Sequence, residues 1–318
     1  MLASALPIIM LTAVSPAFAA DAVNSASVAM PAGAFETNAA NNTATDTDTI
    51  FAVLAATNNN ASGINGLIGA TAVLNVLPGD TVNGTAATTA NVVISVATGS
   101  TVPAQLTFDV ATGNVDVAAG TPAGTYSFDY QICEKLNPAN CKTATISVTV
   151  VAAAIAADAD VATGINGATG ASNITNILDG DTLNSVAATV SSVDIKLVSP
   201  ATPASAGAPV PTLDLTSGQV NVPAGTPAGS YTIGYEICEK LNPTNCAANT
   251  VTVEVVASPI VAANDTASGI NGLSGATAVV NAFTSDQING AAASASNAIL
   301  SVATGSTVPA QLTFDVAT

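Results

Sequence analysis

The sequence predicts an all-β chain of tandem antiparallel β-sandwich domains, the last of them truncated. Three observations carry this. Apolar and polar residues alternate with a period of two in long runs. The same runs return at fixed intervals along the 318 residues. Thr, Val, Asn and Gly dominate together with Ala, and no helical period is found; Thr and Val favour strands, Asn and Gly favour turns.

The clearest alternation lies between Ala123 and Val150, AGTYSFDYQICEKLNPANCKTATISVTV. Tyr126, Phe128, Tyr130 and Ile132 alternate with Ser127, Asp129 and Gln131, which puts the apolar set on one face. The return strand carries Ile146, Val148 and Val150 in the same phase. From Ala228 to Val255 the segment recurs, with Tyr231, Ile233, Tyr235 and Ile237 and then Val251, Val253 and Val255. One face of each strand is therefore expected to cover a core.

Cys133 and Cys141 stand at the loop ends of the two strands, as do Cys238 and Cys246. Asn137-Pro138 and Asn242-Pro243 are turn formers between them. A local disulfide in each copy is the expected pairing. Zinc is the rival reading, but each copy offers two thiols and the chain has no His.

Composition excludes several functions. There are 21 acidic residues against four lysines, giving a net charge of −17. Nucleic-acid binding needs Lys or Arg opposite phosphates, and an anionic membrane surface needs the same. Aromatic residues make up 3 %, so the cores are thin and covalent bridges matter more.

In chain order, residues 1–19 resemble a secretory signal peptide. Leu6 to Val14 form a short apolar run, and Ala17-Phe18-Ala19 fits the small-x-small cleavage rule. The n-region lacks Lys and Arg. The run is too short for a membrane span, so the mature chain is expected to have none. Residues 20–60 read as a polar spacer or the end of a preceding repeat.

Repeats follow. The marker SGINGLIGA begins at Ser62, TGINGATGA at Thr163 and SGINGLSGA at Ser268. Each leads into an apolar run and an acidic turn at Asp80, Asp181 or Asp286, then Asn83, Asn184 or Asn289. Further strands are expected at Val92–Val96 and Val193–Val198. Hairpins follow over Leu106–Val117 and Leu213–Val222. The Ala-Gly-Thr-Pro-Ala-Gly segments, Ala119–Gly124 and Ala224–Gly229, lead into the disulfide hairpins.

Six or seven short strands per roughly 100 residues predict Ig-like antiparallel β-sandwich domains, with a barrel as runner-up. The predicted division is 61–156 for repeat 1, 157–262 for repeat 2 and 263–318 for a partial repeat 3. Residues 95–112 recur unchanged at 301–318. The third copy stops where the first continues into its disulfide hairpin, so the chain reads as a fragment of a longer frame. The segment from Asn264 onward is expected to be poorly stable alone.

The Ala-Gly-Thr-Pro-Ala-Gly-Thr/Ser-Tyr run, the Tyr-Gln/Glu-Ile-Cys-Glu segment, the Leu-Asn-Pro-x-Asn-Cys loop and the Thr-Val-Thr-Val-like last strand resemble tandem Ig-like repeats of large bacterial surface or secreted proteins, often adhesin-like. The resemblance implies an exported, non-enzymatic stalk or adhesive segment on the cell surface. Its partners would be neighbouring repeats and an unknown protein or glycan ligand. The alternative is a spacer or carbohydrate-binding module of a larger secreted enzyme.

No catalytic or cofactor-binding residue is assigned. Serine or cysteine nucleophiles want a nearby base, usually His, and the chain has none. Asp179 and Asp181, around Gly180, are the nearest thing to a glycosidase carboxylate pair, but the first copy has Pro78 for Asp179. A hydrogen-bonding turn is the preferred reading of them. Calcium at the inter-repeat joints is the metal to consider, through Asp158 and Asp160, then Asn264 and Asp265. Ca²⁺ needs six to eight oxygens, the spacing matches no defined loop, and the first copy has Asn58 to Asn60 instead. The loop from Cys133 to Cys141, with Glu134, Lys135 and Leu136, is a candidate contact surface.

Overall fold

A computed structural model describes residues 22–27, 33, 35, 38, 40, 43–48 and 51–316. The signal-peptide segment, 1–19, lies outside the described residues. Within the polar segment, β1 (Ala22–Ser27) and β2 (Thr43–Asp48) pair antiparallel. The chain divides into two compact units, Met1–Ala153 and Ala154–Thr318.

In the first unit the sandwich contains β3 (Leu54–Ala55), β4 (Asn59–Asn65), β5 (Ala70–Asn75), β6 (Thr81–Val82) and β7 (Thr85–Ala86). It continues through β8 (Val92–Val96), β9 (Leu106–Asp109), β10 (Asn114–Val117), β11 (Gly124–Glu134) and β12 (Cys141–Val151). The larger sheet has the order β4-β12-β11-β8, and β5-β10-β9 and β3-β6-β7 form two smaller ones. Ile94, Val115, Val117, Tyr130, Ile132, Ile146 and Val148 meet in one core. The alternation of β11 and β12 sets their register: Phe128 lies opposite Ile146 and Tyr126 opposite Val148, and Phe128 stacks obliquely on Phe108 at 5.3 Å.

The second unit repeats the plan. Its strands are β13 (Ile155–Ala156), β14 (Asp160–Asn166), β15 (Ala171–Asn176), β16 (Thr182–Leu183) and β17 (Val186–Ala187). After them come β18 (Val193–Ser199), β19 (Thr212–Leu213), β20 (Gln219–Val222), β21 (Gly229–Glu239) and β22 (Cys246–Val256). The sheets are β14-β22-β21-β18, β15-β20-β19 and β13-β16-β17. In the third copy β23 (Ile260–Val261), β24 (Gln287–Ile288) and β25 (Ala291–Ala292) form one small sheet. Residues 262–286 and 293–316 carry no strand, and most are exposed.

Pairing moves the boundaries read from the sequence. Leu54 and Ala55 bond to Val82 and Thr81, and Ile155 and Ala156 bond to Leu183 and Thr182. Each sandwich therefore starts upstream of residues 61 and 157. The weak alternation over Phe51–Leu54 belongs to the first core, where Ala52 and Leu54 are buried.

The recurrent Asn after the acidic turn has a physical role. Asn83 adopts a left-handed conformation (φ 51°) between β6 and β7, which Asn tolerates better than most residues. Its amide and side-chain oxygen pair with the Val53 carbonyl and amide, both at 2.8 Å. Tyr126 and Tyr231 return their hydroxyls to the carbonyls of Pro122 and Pro227 at 2.8 Å, which explains the Pro-Ala-Gly-Thr/Ser-Tyr run.

Cys133 bonds Cys141 and Cys238 bonds Cys246, each across facing positions of the β11–β12 and β21–β22 ladders. Replacing Cys133 and Cys141 together by alanine is expected to cost about 2.5 kcal/mol, the chain-entropy value for so short a loop. Urea denaturation of the double variant checks it; an unchanged midpoint would contradict it.

Glu134 departs from expectation. The sequence places it in an exposed loop, yet it is fully buried. Its Oε2 accepts the Ala52 amide at 3.1 Å and the Asn140 side-chain amide at 2.9 Å, and Asn140 also donates to the Ala52 carbonyl at 2.8 Å. Glu134 and Asn140 thus grip one upstream residue. Lys135 and Leu136 remain exposed, and Lys135 donates to the Thr89 carbonyl at 2.6 Å.

Candidate functional site

Each sandwich holds one fully buried tyrosine, Tyr130 or Tyr235, at the same place on its long strand. The polar groups around these hydroxyls differ between copies.

In the first repeat the network is saturated. Asp80, 1 % exposed, accepts the Thr57 amide at 2.8 Å and the Thr57 hydroxyl at 3.2 Å through Oδ1. The Tyr130 hydroxyl lies 2.9 and 3.0 Å from its two oxygens. Asn59 donates to the hydroxyl at 3.1 Å and to the carbonyls of Thr57 and Val76. Burial raises the Asp80 carboxyl above its ordinary value, partly offset by its bonds to Thr57 and Tyr130. Burial and the neighbouring Asp80 raise Tyr130 as well.

In the second repeat, Thr57, Asn59, Pro78 and Asp80 correspond to Asp158, Asp160, Asp179 and Asp181. The substitution removes the threonine hydroxyl and the asparagine amide, two donors, and brings three more carboxyls. Asp181 Oδ1 still accepts the Asp158 amide, at 2.7 Å. Tyr235 has turned elsewhere: its hydroxyl donates to the Asp158 carbonyl at 2.7 Å and lies 3.1 Å from Asp160 Oδ2. Asp181 Oδ2 is buried with no hydrogen-bond partner, on a residue 1 % exposed. Gly180, at φ 90°, lets the turn close over Asp158, whose Oδ2 would lie 3.4 Å from a Cβ there.

Burial pushes Asp160 up to about 6, with Asp179 and Asp158 adding to it and the Tyr235 bond opposing. Burial likewise pushes Asp181 up to about 6, opposed by the Asp158 amide and reinforced by Asp160, Asp158 and Asp179. Tyr235 is raised by burial and by Asp181 and Asp160. In protein stripped of divalent ions with a chelator, the second repeat is expected to gain stability as pH falls from about 7 to about 5. The folded state then binds protons that the unfolded chain, titrating near 3.8, does not. The contribution is full below about 4 and lost as pH rises through about 6. Raising one carboxyl from 3.8 to about 6 corresponds to no more than roughly 3 kcal/mol. Urea titrations at the two pH values check this. Stability that falls with acidification over this range would contradict it.

The two acidic pairs singled out in the sequence, Asp158 with Asp160 and Asp179 with Asp181, thus come into one electrostatic neighbourhood, in which Asp160 and Asp181 are buried and Asp158 and Asp179 exposed. Sequence reading kept them apart because 18 residues separate Asp160 from Asp179. In the third copy Asp286 repeats the Asp181 contact by accepting the Ala263 amide at 2.6 Å; Asp265 is half-buried and Asn264 exposed. Among the described residues, one trio of metal-ligating atoms lies within 4.8 Å of one another: Glu236, Cys238 and Cys246. Its cysteines are bonded to each other, and Glu236 pairs with Lys196 at 3.2 Å, so it offers no thiolate.

No family model matches the chain, and no curated protein matches it in sequence. Among solved structures it is similar to repeats EC22-24 of mouse cadherin-23, with 10 % identity and a TM-score of 0.28 over 76 % of this chain and 75 % of that one. It is similar to the ectodomain of human desmocollin-1 at 12 % identity and a TM-score of 0.28, covering 64 % of this chain and 42 % of that one. Repeats EC1-2 of human protocadherin-24 align at 13 % identity and a TM-score of 0.29, over 64 % and 95 %. The all-β, tandem-repeat architecture rests on the strand ladders themselves.

Proposed function

We propose that the chain is a non-enzymatic spacer or adhesive segment of an exported bacterial surface protein. One observation carries this reading. In each sandwich the first long strand runs parallel to the last: β4 beside β12, from Asn59↔Ile146 to Asn65↔Val151, and β14 beside β22 in the same way. The chain therefore comes into a sandwich at one end and leaves it at the other. An 11-residue last strand advances the chain by roughly 35 Å at the usual rise. A sandwich so wired carries the chain from one of its ends to the other, and fold stability stays largely local to each repeat.

The buried polar groups fit the same reading. Tyr130, Asp80, Glu134 and Asn140 bond to backbone and to each other, and hold the sandwich closed. Among the described residues no helix is long and apolar enough to cross a membrane.

A direct test displays the chain between a surface anchor and a small binding domain. Deleting residues 154–256 is expected to shorten its reach and lower capture of a bulky partner. Unchanged capture would oppose a spacer. The accessory-module reading is separated by a glycan array, where saturable binding to one glycan class would favour it over the stalk.

A further inference from the structure

The two sandwiches share a frame but not its filling, and the difference has a chemical direction. The first repeat surrounds one buried carboxylate with donors: the Thr57 amide and hydroxyl, and the Tyr130 hydroxyl, itself held by Asn59. The second surrounds its tyrosine with acceptors. Asp181 takes the Asp158 amide, the Asp158 carbonyl and Asp160 share the Tyr235 hydroxyl, and the exposed carboxyls of Asp158 and Asp179 add their charge beside them. No lysine bonds to the group; Lys196 and Lys240 pair with Glu236 and Asp194. A buried acceptor without a donor is costly, and Asp181 Oδ2 is such an acceptor.

We propose that Asp158, Asp160, Asp179 and Asp181 of the second repeat bind one hard divalent cation of the calcium class, and that the first repeat, with Thr57, Asn59, Pro78 and Asp80 there, does not.

The donor set is all oxygen, which suits Ca²⁺ and excludes soft metals. Carboxylates from β14 and its lead-in, and from the turn before β16, reach the cluster from two chain segments. Asp181 Oδ2 supplies the ligand with no other partner. The carboxyl oxygens do not form a tight trio on their own, as expected of like charges without a counter-ion. They must draw together around the ion. Ca²⁺ tolerates such variable geometry, whereas Mg²⁺ demands a near-ideal octahedron. A site that closes on binding belongs to the weak class of extracellular modules, with a dissociation constant on the order of 0.1–1 mM.

The first repeat also supplies the control, because its residues are known to fit the frame. The triple variant Asp158→Thr, Asp160→Asn, Asp179→Pro copies them into the second repeat. Calcium chloride is titrated calorimetrically into the full chain, and thermal unfolding is followed with and without it. The wild type is expected to take up one ion and to unfold at higher temperature in calcium. The triple variant should show no saturable heat, and without calcium it should melt at or above the wild type. Asp181→Asn is expected to weaken binding at least tenfold while keeping the Asp158 contact. No heat and no melting shift in the wild type up to about 10 mM, some tenfold above the weak end of the expected range, would overturn the proposal. Undiminished binding by a folded triple variant would overturn it too. Neither result bears on the spacer reading, which rests on strand direction.

Discussion

Replacing Gly66 by alanine is expected to unfold the first repeat at moderate temperature, while the same change at Gly272 is nearly silent. Both glycines occupy the fourth position of the recurrent Gly-Ile-Asn-Gly marker. At Gly66 a Cβ would sit 1.9 Å from the Thr121 carbonyl oxygen and 2.7 Å from Val150 Cγ1. The first of these is backbone and cannot swing aside. Moving it breaks the Thr121 amide bond to the Gly66 carbonyl (3.0 Å) and strains the Gly66 amide bond to Val151 (3.1 Å). Overpacking typically costs about 1–3 kcal/mol, and a clash with backbone belongs at the upper end, which in a sandwich of about 100 residues lowers the melting temperature by roughly 12 °C or more. Gly167 meets Thr226 in the same way, at 2.0 Å, and Gly167→Ala should cost the second repeat as much. Gly272 has nothing within 4 Å, so Gly272→Ala should stay within about 0.5 kcal/mol. Calorimetric scans of the three variants check the series. Equal losses at Gly66 and Gly272 would mean that the motif matters for another reason.

Truncating Tyr130 is the second large effect. Its ring is fully buried in the first core, so Tyr130→Ala leaves an aromatic-sized cavity and should cost about 3–5 kcal/mol. The hydroxyl can be read separately. Tyr130→Phe keeps the ring but removes a donor from buried Asp80 and an acceptor from Asn59. An unmet buried polar group costs about 1–3 kcal/mol, which is the expected loss. Tyr235→Phe should cost less, because buried Asp181 is bonded to the Asp158 amide and does not depend on that hydroxyl. Chemical denaturation of the four proteins, wild type included, gives both differences. A neutral Tyr130→Phe would show that Asp80 is satisfied by Thr57 alone.

Much of this fold was legible in the sequence because its strands are half-buried and antiparallel. The period-two runs at Tyr126–Ile132 and Ile146–Val150 name the core face directly, and the hairpin over Leu106–Val117 announces its turn. The short pairings were not legible. Leu54–Ala55 with Thr81–Val82 involves two residues a side, too few for a period to show. The parallel pairing of β4 with β12 joins Gly- and Asn-rich residues to a strand 87 positions away, and neither carries a hydrophobic pattern that names the other. Glu134 was misplaced for a related reason. A glutamate next to a Lys-Leu-Asn-Pro turn reads as surface, and its burial depends on Ala52, which is distant in the chain. The repeat comparison exposed the acidic site in part, through Pro78 against Asp179. That Asp160 and the Asp158 carbonyl meet at Tyr235, with Asp181 bonded to the Asp158 amide, required the fold.

The spacer reading is tested by single-molecule stretching of the described sandwiches. Handles at residues 51 and 256 load the parallel β4–β12 and β14–β22 ladders along the strands, so that many hydrogen bonds must yield together. Two discrete ruptures of similar length are predicted, at forces several times those needed through handles at Gly124 and Val150, which peel the β11–β12 hairpin bond by bond. Gradual lengthening from the chain ends, or equal forces in the two geometries, would contradict a chain built to carry load from one end of each sandwich to the other.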